Sequence, residues 1–385
     1  MEIDNFLVIC PSNKWGTKEK AALRDIGVLS TSGKKVSFVC TKDSFLHLKS
    51  KKYKIDIIPC RYSVISKLFD TKFYYFIKEV VRNGNYSVIH TFDFYSLYPL
   101  SYLLKQRKSV ALFFSFYGQS LPYRMGLIHK LFLGRVDQVV TLGEELPRKI
   151  SRSVNLPERR IVGLGGGISV EKNKMLDGKR PYNSLILGGI VPADKEKVDF
   201  LVTLFDALLP MTSMVSKILP SKDFQLYLFS ERPWRQRVIF EHLKNFLWEK
   251  GVEDMVHFKE IGMSCEEEAI IQCDIWIGLE TNSCIAFDLL YGLCLEVPTL
   301  ASRSPSTSSI AGKASPLLKT FAGGDSRELR SKFSEILSDF SKKKSKKASS
   351  EEIYSEHNLD KYSEDLMSIY SRALERRARA MRKGT

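Results

Sequence analysis

Short apolar runs alternate with stretches of helical periodicity along most of the chain. Residues 6–10 (Phe-Leu-Val-Ile-Cys) are uninterruptedly apolar. A run this short, without polar alternation, predicts a strand buried on both faces of a parallel sheet. Residues 18–31 have helical spacing, and residues 35–40 predict the next strand. Further strands are predicted at 54–59, 87–90, 110–115 and 137–141, with helical stretches between most of them. Strand after helix after strand specifies an α/β doubly wound sheet.

The pattern then starts again. Gly163-Leu164-Gly165-Gly166-Gly167 leads into a polar stretch ending near Pro181, and residues 184–188 are once more an apolar strand. Strands are predicted at 224–229, 255–258 and 274–278, with helices at 197–209 and 237–250. This organisation predicts two α/β lobes, residues 1–175 and 176–350, and a terminal segment 351–385 whose residues 355–379 form one long charged helix. The lysine-rich run at 342–347 reads as a solvated linker or surface turn. The glycine run feeds no helix, so it reads as an interdomain hinge and not as a dinucleotide-binding turn.

With 385 residues the chain exceeds one ordinary core. Its first residues are acidic where a signal peptide would be basic, and no stretch approaches the roughly 18 uninterrupted apolar residues that cross a bilayer. The expectation is a cytoplasmic chain, soluble or peripheral on the inner face of a membrane. Seven scattered cysteines form no CxxC pair and no Cys/His cluster, which suits free thiols in a reducing compartment and predicts no metal site.

Charge adds an asymmetry. Residues 1–170 hold 27 Lys and Arg against 13 Asp and Glu, whereas the remainder holds 32 against 31. The first lobe is therefore expected to face an anionic partner, whether anionic lipid, a phosphate-bearing acceptor or nucleic acid. No recognised nucleic-acid module is present, which disfavours the last. Residues 61–82 interleave Phe69, Phe73, Tyr74, Tyr75 and Phe76 with Lys67, Lys72, Lys78 and Arg82, and residues 121–135 repeat the theme with Arg124, Lys130 and Arg135. Such helices either lie in a membrane interface or pack an apolar stripe on a sheet with the cations in water.

The most informative stretch is Asp274-Ile275-Trp276-Ile277-Gly278-Leu279-Glu280, followed by a short polar loop and a helix carrying Asp288. Backbone N–H groups at such a helix start bind diphosphates, and two carboxylates accept hydrogen bonds from sugar and ribose hydroxyls. Spacing alone favours a plainer reading, a surface Glu and an Asp stabilised by the helix dipole.

The order of motifs resembles the family 4 retaining glycosyltransferases of the GT-B fold, which carry Glu-x7-Glu here; this chain reads Glu280-x7-Asp288, then Leu289-Leu290-Tyr291-Gly292 and Val297-Pro298-Thr299. The resemblance implies two Rossmann-like lobes facing a central cleft and a terminal helix, around Tyr362 to Leu374, crossing back to the first. It implies a nucleoside-diphosphate sugar as co-substrate with no metal or other cofactor. The acceptor would be a saccharide or lipid-linked, as in the making of a cell-surface polysaccharide or glycolipid. Glu280 would hold donor-sugar hydroxyls at the catalytic centre and Asp288 the ribose. The segment Ser12-Asn13-Lys14-Trp15-Gly16 resembles the glycine loop near the diphosphate, and Val88-Ile89-His90 the strand ending in a catalytic histidine. Leu187-Gly188-Gly189 resembles a phosphate-binding segment whose usual Arg is Gly189 here, so Lys195 or Lys197 must supply the cation. Tyr117 stands on the acceptor side where many members have His. Two alternatives stay open, a sugar-nucleotide epimerase on the same fold and a non-catalytic partner subunit, the second of which Gly189, Tyr117 and Asp288 favour.

Overall fold

The first predicted strand is β1 (Asn5–Cys10), and Phe6, Leu7, Val8, Ile9 and Cys10 have no exposed surface. In the computed structural model, which describes residues 4–61, 70–117, 127–143, 147, 151–152, 156–170, 183–191, 198–230, 233–261, 266–278, 287–314, 317–341 and 347–383, β1 lies between two parallel neighbours. It pairs with β2 (Lys35–Thr41) on one side and β4 (Val88–Thr91) on the other, Val8 standing in register with Phe38 and His90. That double neighbourhood explains the unbroken apolar run, since both faces of the strand are covered.

The full sheet runs β3-β2-β1-β4-β5-β6-β7, with β3 (Asp56–Cys60), β5 (Ala111–Phe116), β6 (Gln138–Leu142) and β7 (Ile161–Leu164). The described helices between strands are α1 (Thr17–Thr31), α2 (Phe45–Ser50), α3 (Thr71–Asn83), α4 (Leu97–Leu103) and α5 (Leu127–Arg135). Strand β7 escapes the sequence pattern because it is four residues long and contains Gly163 of the glycine run. On α3, Phe73, Ile77, Val80 and Val81 are buried, while Lys72 and Lys78 are exposed. Its apolar stripe is thus spent on protein packing, and Lys67 lies outside the described residues.

A second parallel sheet runs β10-β9-β8-β11-β12-β13. Its strands are β8 (Ser184–Ile190), β9 (Asp223–Ser230), β10 (Val256–Glu260), β11 (Ile275–Gly278), β12 (Thr299–Ser302) and β13 (Leu318–Phe321). Helices α6 (Val198–Ile218), α7 (Pro233–Lys250), α8 (Glu266–Ile270), α9 (Phe287–Cys294), α10 (Pro305–Ala311), α11 (Ser326–Ser341) and α12 (Lys347–His357) accompany it. Helix α6 is long and apolar enough over Leu201–Ile218 to cross a membrane by length and composition. Its Leu201, Leu204, Phe205, Leu208, Met211 and Val215 are instead buried in a core with Phe224, Leu226 and Phe333.

The expected single terminal helix is two. Ile168 N–H donates to the His357 carbonyl at 2.8 Å and pairs with Asn358 in an isolated bridge, which takes the carbonyl that would have continued α12. The chain then continues as α13 (Leu359–Lys383). Helix α13 belongs to the first compact unit, Met1–Gly167 with Leu359–Thr385, and Ile168–Asn358 form the second. The lobe junctions expected near 175 and 350 therefore compare with divisions after Gly167 and Asn358. Tyr370 of α13 packs edge-on against Phe113 at 4.7 Å and tilts against Phe6 at 5.3 Å, fixing the helix on the first sheet.

Gly167 is where the first unit leaves no room. Its φ is +60°, and a Cβ there would lie 2.6 Å from the Tyr362 ring and 2.8 Å from Arg24 Cδ. Gly167→Ala is expected to destabilise the first unit by about 2 kcal/mol or more, left-handed backbone costing ~1–2 kcal/mol before the clash is counted. Urea unfolding followed by far-UV circular dichroism checks this, and an unchanged midpoint contradicts it.

Candidate active site

In doubly wound sheets ligands bind beyond the carboxyl ends of the strands, where the winding reverses. The first sheet reverses between β1 and β4, the second between β8 and β11. These two places locate the candidate chemistry within each unit.

In the first unit, the loop after β1 leads into α1 through Gly16, whose backbone is extended and whose carbonyl accepts Lys20 N–H at 3.0 Å. A Cβ on Gly16 would meet only Glu19 Oε2, at an ordinary 3.6 Å, so packing does not require glycine there. Beyond the strand ends sit Ser12, Lys18, Glu19 and Asp93. Lys18 Nζ is 3.5 Å from Glu19 Oε1, and Asp93 Oδ2 accepts from Ser96 N–H and Oγ at 2.9 and 3.0 Å. Burial opposes the charge on Lys18, but Glu19, Cys10 and Asp93 outweigh it and raise its pKa, so the ammonium stays charged. Burial raises the Asp93 pKa against the pull of Lys18 and Ser96. Sequence reading missed Lys18 and Asp93. Lys18 was detectable as the cation in the first turn after the loop, whereas only the pairing of β1 with β4 brings Asp93 beside it.

His90, expected at a catalytic position, is fully buried. Its Nδ1 lies 2.7 Å from the Tyr370 hydroxyl and its Nε2 2.8 Å from Ser115 Oγ, so both nitrogens are engaged by the protein. Phe92 stacks on the ring at 4.7 Å, and burial followed by the nearby Arg24 charge pushes its pKa down to about 3. His90 is thus a neutral, structural imidazole with no nitrogen left for substrate, which corrects the catalytic expectation. Asp25 Oδ2 faces Nδ1 from 3.8 Å and has no hydrogen-bond partner among the described residues. Its other oxygen accepts from Arg24 at 3.0 Å and from the Tyr362 hydroxyl at 2.7 Å. Arg24 also donates to the Tyr117 hydroxyl at 2.7 Å and to the Gly166 carbonyl. Tyr117, expected on the acceptor side, is therefore interior, its ring stacked on Phe92 at 6.0 Å.

In the second unit, a Cβ on Gly188 would come within 2.1 Å of Cys273 Sγ, so this glycine of the Leu187-Gly188-Gly189 motif is required by packing. Asp288 stands in the first turn of α9, largely buried, and its Oδ2 accepts from Trp276 Nε1 of β11 at 3.1 Å. That bond ties the helix to the strand at the reversal point. Glu280, Lys195 and Lys197 lie outside the described residues. Along the chain they belong to the segments that follow β11 and β8, the two strands flanking the reversal.

No family model matches the chain, and no curated protein matches it. Solved structures do. A glycosyltransferase from Rickettsia africae ESF-5 superposes with a TM-score of 0.76 at 15% identity, covering 97% of this chain and 99% of that one. HepE from Anabaena, in complex with UDP and glucose, gives 0.72 at 11% identity over 95% and 99%. A sucrose-phosphate synthase from Thermosynechococcus elongatus gives 0.72 at 15% over 96% and 98%. The fold is GT-B. Two Rossmann-like lobes and a terminal helix returned to the first lobe are its parts, as the motif order implied.

The buried imidazole has a thermodynamic signature. His90 takes a proton near pH 6.5 when unfolded but only near 3 when folded. The unfolded chain binds that proton first, so stability falls as pH drops below about 6.5, by up to ~1.4 kcal/mol per unit. Asp25, raised by burial, contributes the opposite slope above its ordinary value of 3.8. Denaturant titrations at pH 7 and 5 should therefore show a smaller loss for His90→Gln than for the parent, and identical losses would contradict a neutral buried His90.

Proposed function

We propose that the chain is a glycosyltransferase that moves a sugar from a nucleoside-diphosphate sugar to a saccharide or lipid-linked acceptor, with retention and without a metal. The observation that carries this reading is the coincidence of motif and topology in the second unit. Glu280-x7-Asp288 spans the connection from β11 to α9, and Lys195 and Lys197 follow β8, so both motifs issue from the strands where a nucleotide belongs. Structures of the same fold with UDP or UDP-glucose bound support the choice of donor.

In this reading Asp288, already oriented by Trp276, accepts from the ribose, and Glu280 holds the sugar hydroxyls. The departing diphosphate gains negative charge as the glycosidic bond breaks, and Lys195 or Lys197 with helix N-terminal N–H groups stabilises it. Retention rests on the family resemblance. His90 acts only by holding β4 and α13 in place. Lys18, kept charged at the reversal point of the first sheet, is the group there suited to an anionic part of the acceptor or donor.

The first unit carries 34 Lys and Arg against 17 Asp and Glu, and the second 25 against 27. All of the excess positive charge thus resides on the unit assigned to the acceptor, which favours an acceptor at an anionic membrane surface.

Incubation with a panel of sugar nucleotides and a glycolipid extract should release a nucleoside diphosphate. An altered sugar nucleotide without diphosphate would indicate an epimerase instead, and no turnover would indicate a partner subunit. Glu280→Gln should lower kcat by ~10²-fold with the fold intact, as expected for loss of a charge-assisted hydrogen bond of about 1.5–3 kcal/mol. Lys195→Ala with Lys197→Ala should weaken nucleoside diphosphate binding by calorimetry, and unchanged affinity would remove both lysines from the donor site.

A further inference from the structure

A concentration of arginines with few carboxylates lies at the other end of the first sheet, where the strands begin. There α13 passes the starts of β6 and β7 and encloses a cavity of about 310 Å³, lined by Arg159, Arg372, Arg376, Arg379, Glu375 and Gln138 among others. Arg376 is anchored by Gln138 Oε1 at 2.9 Å, and Arg379 lies 3.7 Å from Glu375. Among the described residues, the Arg372 side chain donates only to the Ser368 carbonyl of its own helix, at 3.3 Å. Among the described residues, no carboxylate comes within ion-pairing distance of Arg159, Arg372 or Arg376. Arg372, Arg376 and Arg379 follow one another at spacings of four and three, so the helix aligns like charges on one face, an arrangement that opposes folding.

The layer behind the cavity offers no relief. Arg135 and Arg377 share the single carboxylate of Asp137, at 3.6 and 2.7 Å. Arg160 donates to the carbonyls of Leu133, Gly134 and Val136. Burial, then the neighbouring Arg377, holds the Arg135 guanidinium down to about 10. Several guanidinium groups therefore surround one concave space with fewer carboxylates than cations. Planar guanidinium forks match phosphate oxygens in bidentate fashion, and the volume suits one small head group.

We propose that this groove is a second anion site, separate from the sugar-nucleotide site, that binds a phosphate group of more than one negative charge, a phosphomonoester or a diphosphate. It does not depend on the glycosyltransferase reading, because the groove lies at the ends of the strands opposite the reversal point.

The test uses the full chain carrying Lys195→Ala and Lys197→Ala, to lower phosphate binding at the proposed donor site, and reads the groove from the dependence on its arginines. Calorimetry with inorganic pyrophosphate reads the free ligand. Flotation with phosphatidylcholine vesicles containing phosphatidic acid, against vesicles of equal charge made with phosphatidylglycerol, reads a lipid head group. Arg159→Gln with Arg372→Gln breaks no side-chain ion pair and should weaken binding at least tenfold. Lys51→Gln with Lys52→Gln, an equal loss of charge elsewhere on the unit, should change it less than twofold. Binding of pyrophosphate assigns a soluble source, and binding of phosphatidic acid vesicles alone assigns a lipid. The proposal is overturned if neither binds, if the two double variants lose affinity equally, or if duplex DNA binds more tightly with the same arginine dependence. Circular dichroism of the variants excludes unfolding as the cause.

Discussion

A buried ion pair on one turn of α1 holds the last helix of the chain against the first sheet. Arg24 and Asp25 are adjacent in sequence and nearly or fully buried, and Tyr362 donates to Asp25 Oδ1 while Arg24 donates to the Tyr117 hydroxyl and the Gly166 carbonyl. The Arg24 guanidinium also lies 3.6 Å from the centre of the Tyr362 ring. Burying two charges is costly, and leaving one without its partner costs about 3–5 kcal/mol. Docking of α13 buries the pair and brings the Tyr362 hydroxyl to Asp25, so the return of the chain end and the packing of the first unit support each other.

The same network settles the roles of its neighbours. Once Tyr370 comes down on the sheet, the His90 ring is enclosed and both nitrogens are committed, so a residue type that commonly does acid–base chemistry is used here as a neutral hydrogen-bonding wedge. The candidate functional residues stand instead at the strand ends. Lys18 and Asp93 stand at the reversal of the first sheet, and the Trp276–Asp288 bond fixes the helix that follows the reversal of the second.

Charge distribution follows the fold and not the order of residues. Helix α13 comes from the nearly neutral second half of the sequence, yet it adds its arginines to the basic first unit. The difference between the two units is thereby larger than the difference between the two halves. Three of those arginines, Arg372, Arg376 and Arg379, line one cavity with Arg159 and Gln138 beside the starts of β6 and β7.

Local patterns in the sequence determined most strands of both sheets, because a strand covered on both faces must be apolar throughout, and motif order then implied GT-B. The Glu280-x7-Asp288 pattern was likewise visible because it is local in sequence, and of the two carboxylates Asp288 falls among the described residues. What the sequence could not contain was long-range. The short strands β7 and β13 carry too few apolar residues to show a period. The break at Asn358 depends on a bond from Ile168, and Asp93 becomes a neighbour of Lys18 only when β1 and β4 pair. The burial of His90 and Tyr117 required Tyr362 and Tyr370 to arrive from the far end of the chain. The arginine groove was decided the same way, because its walls lie more than two hundred residues apart in sequence and meet only through tertiary packing.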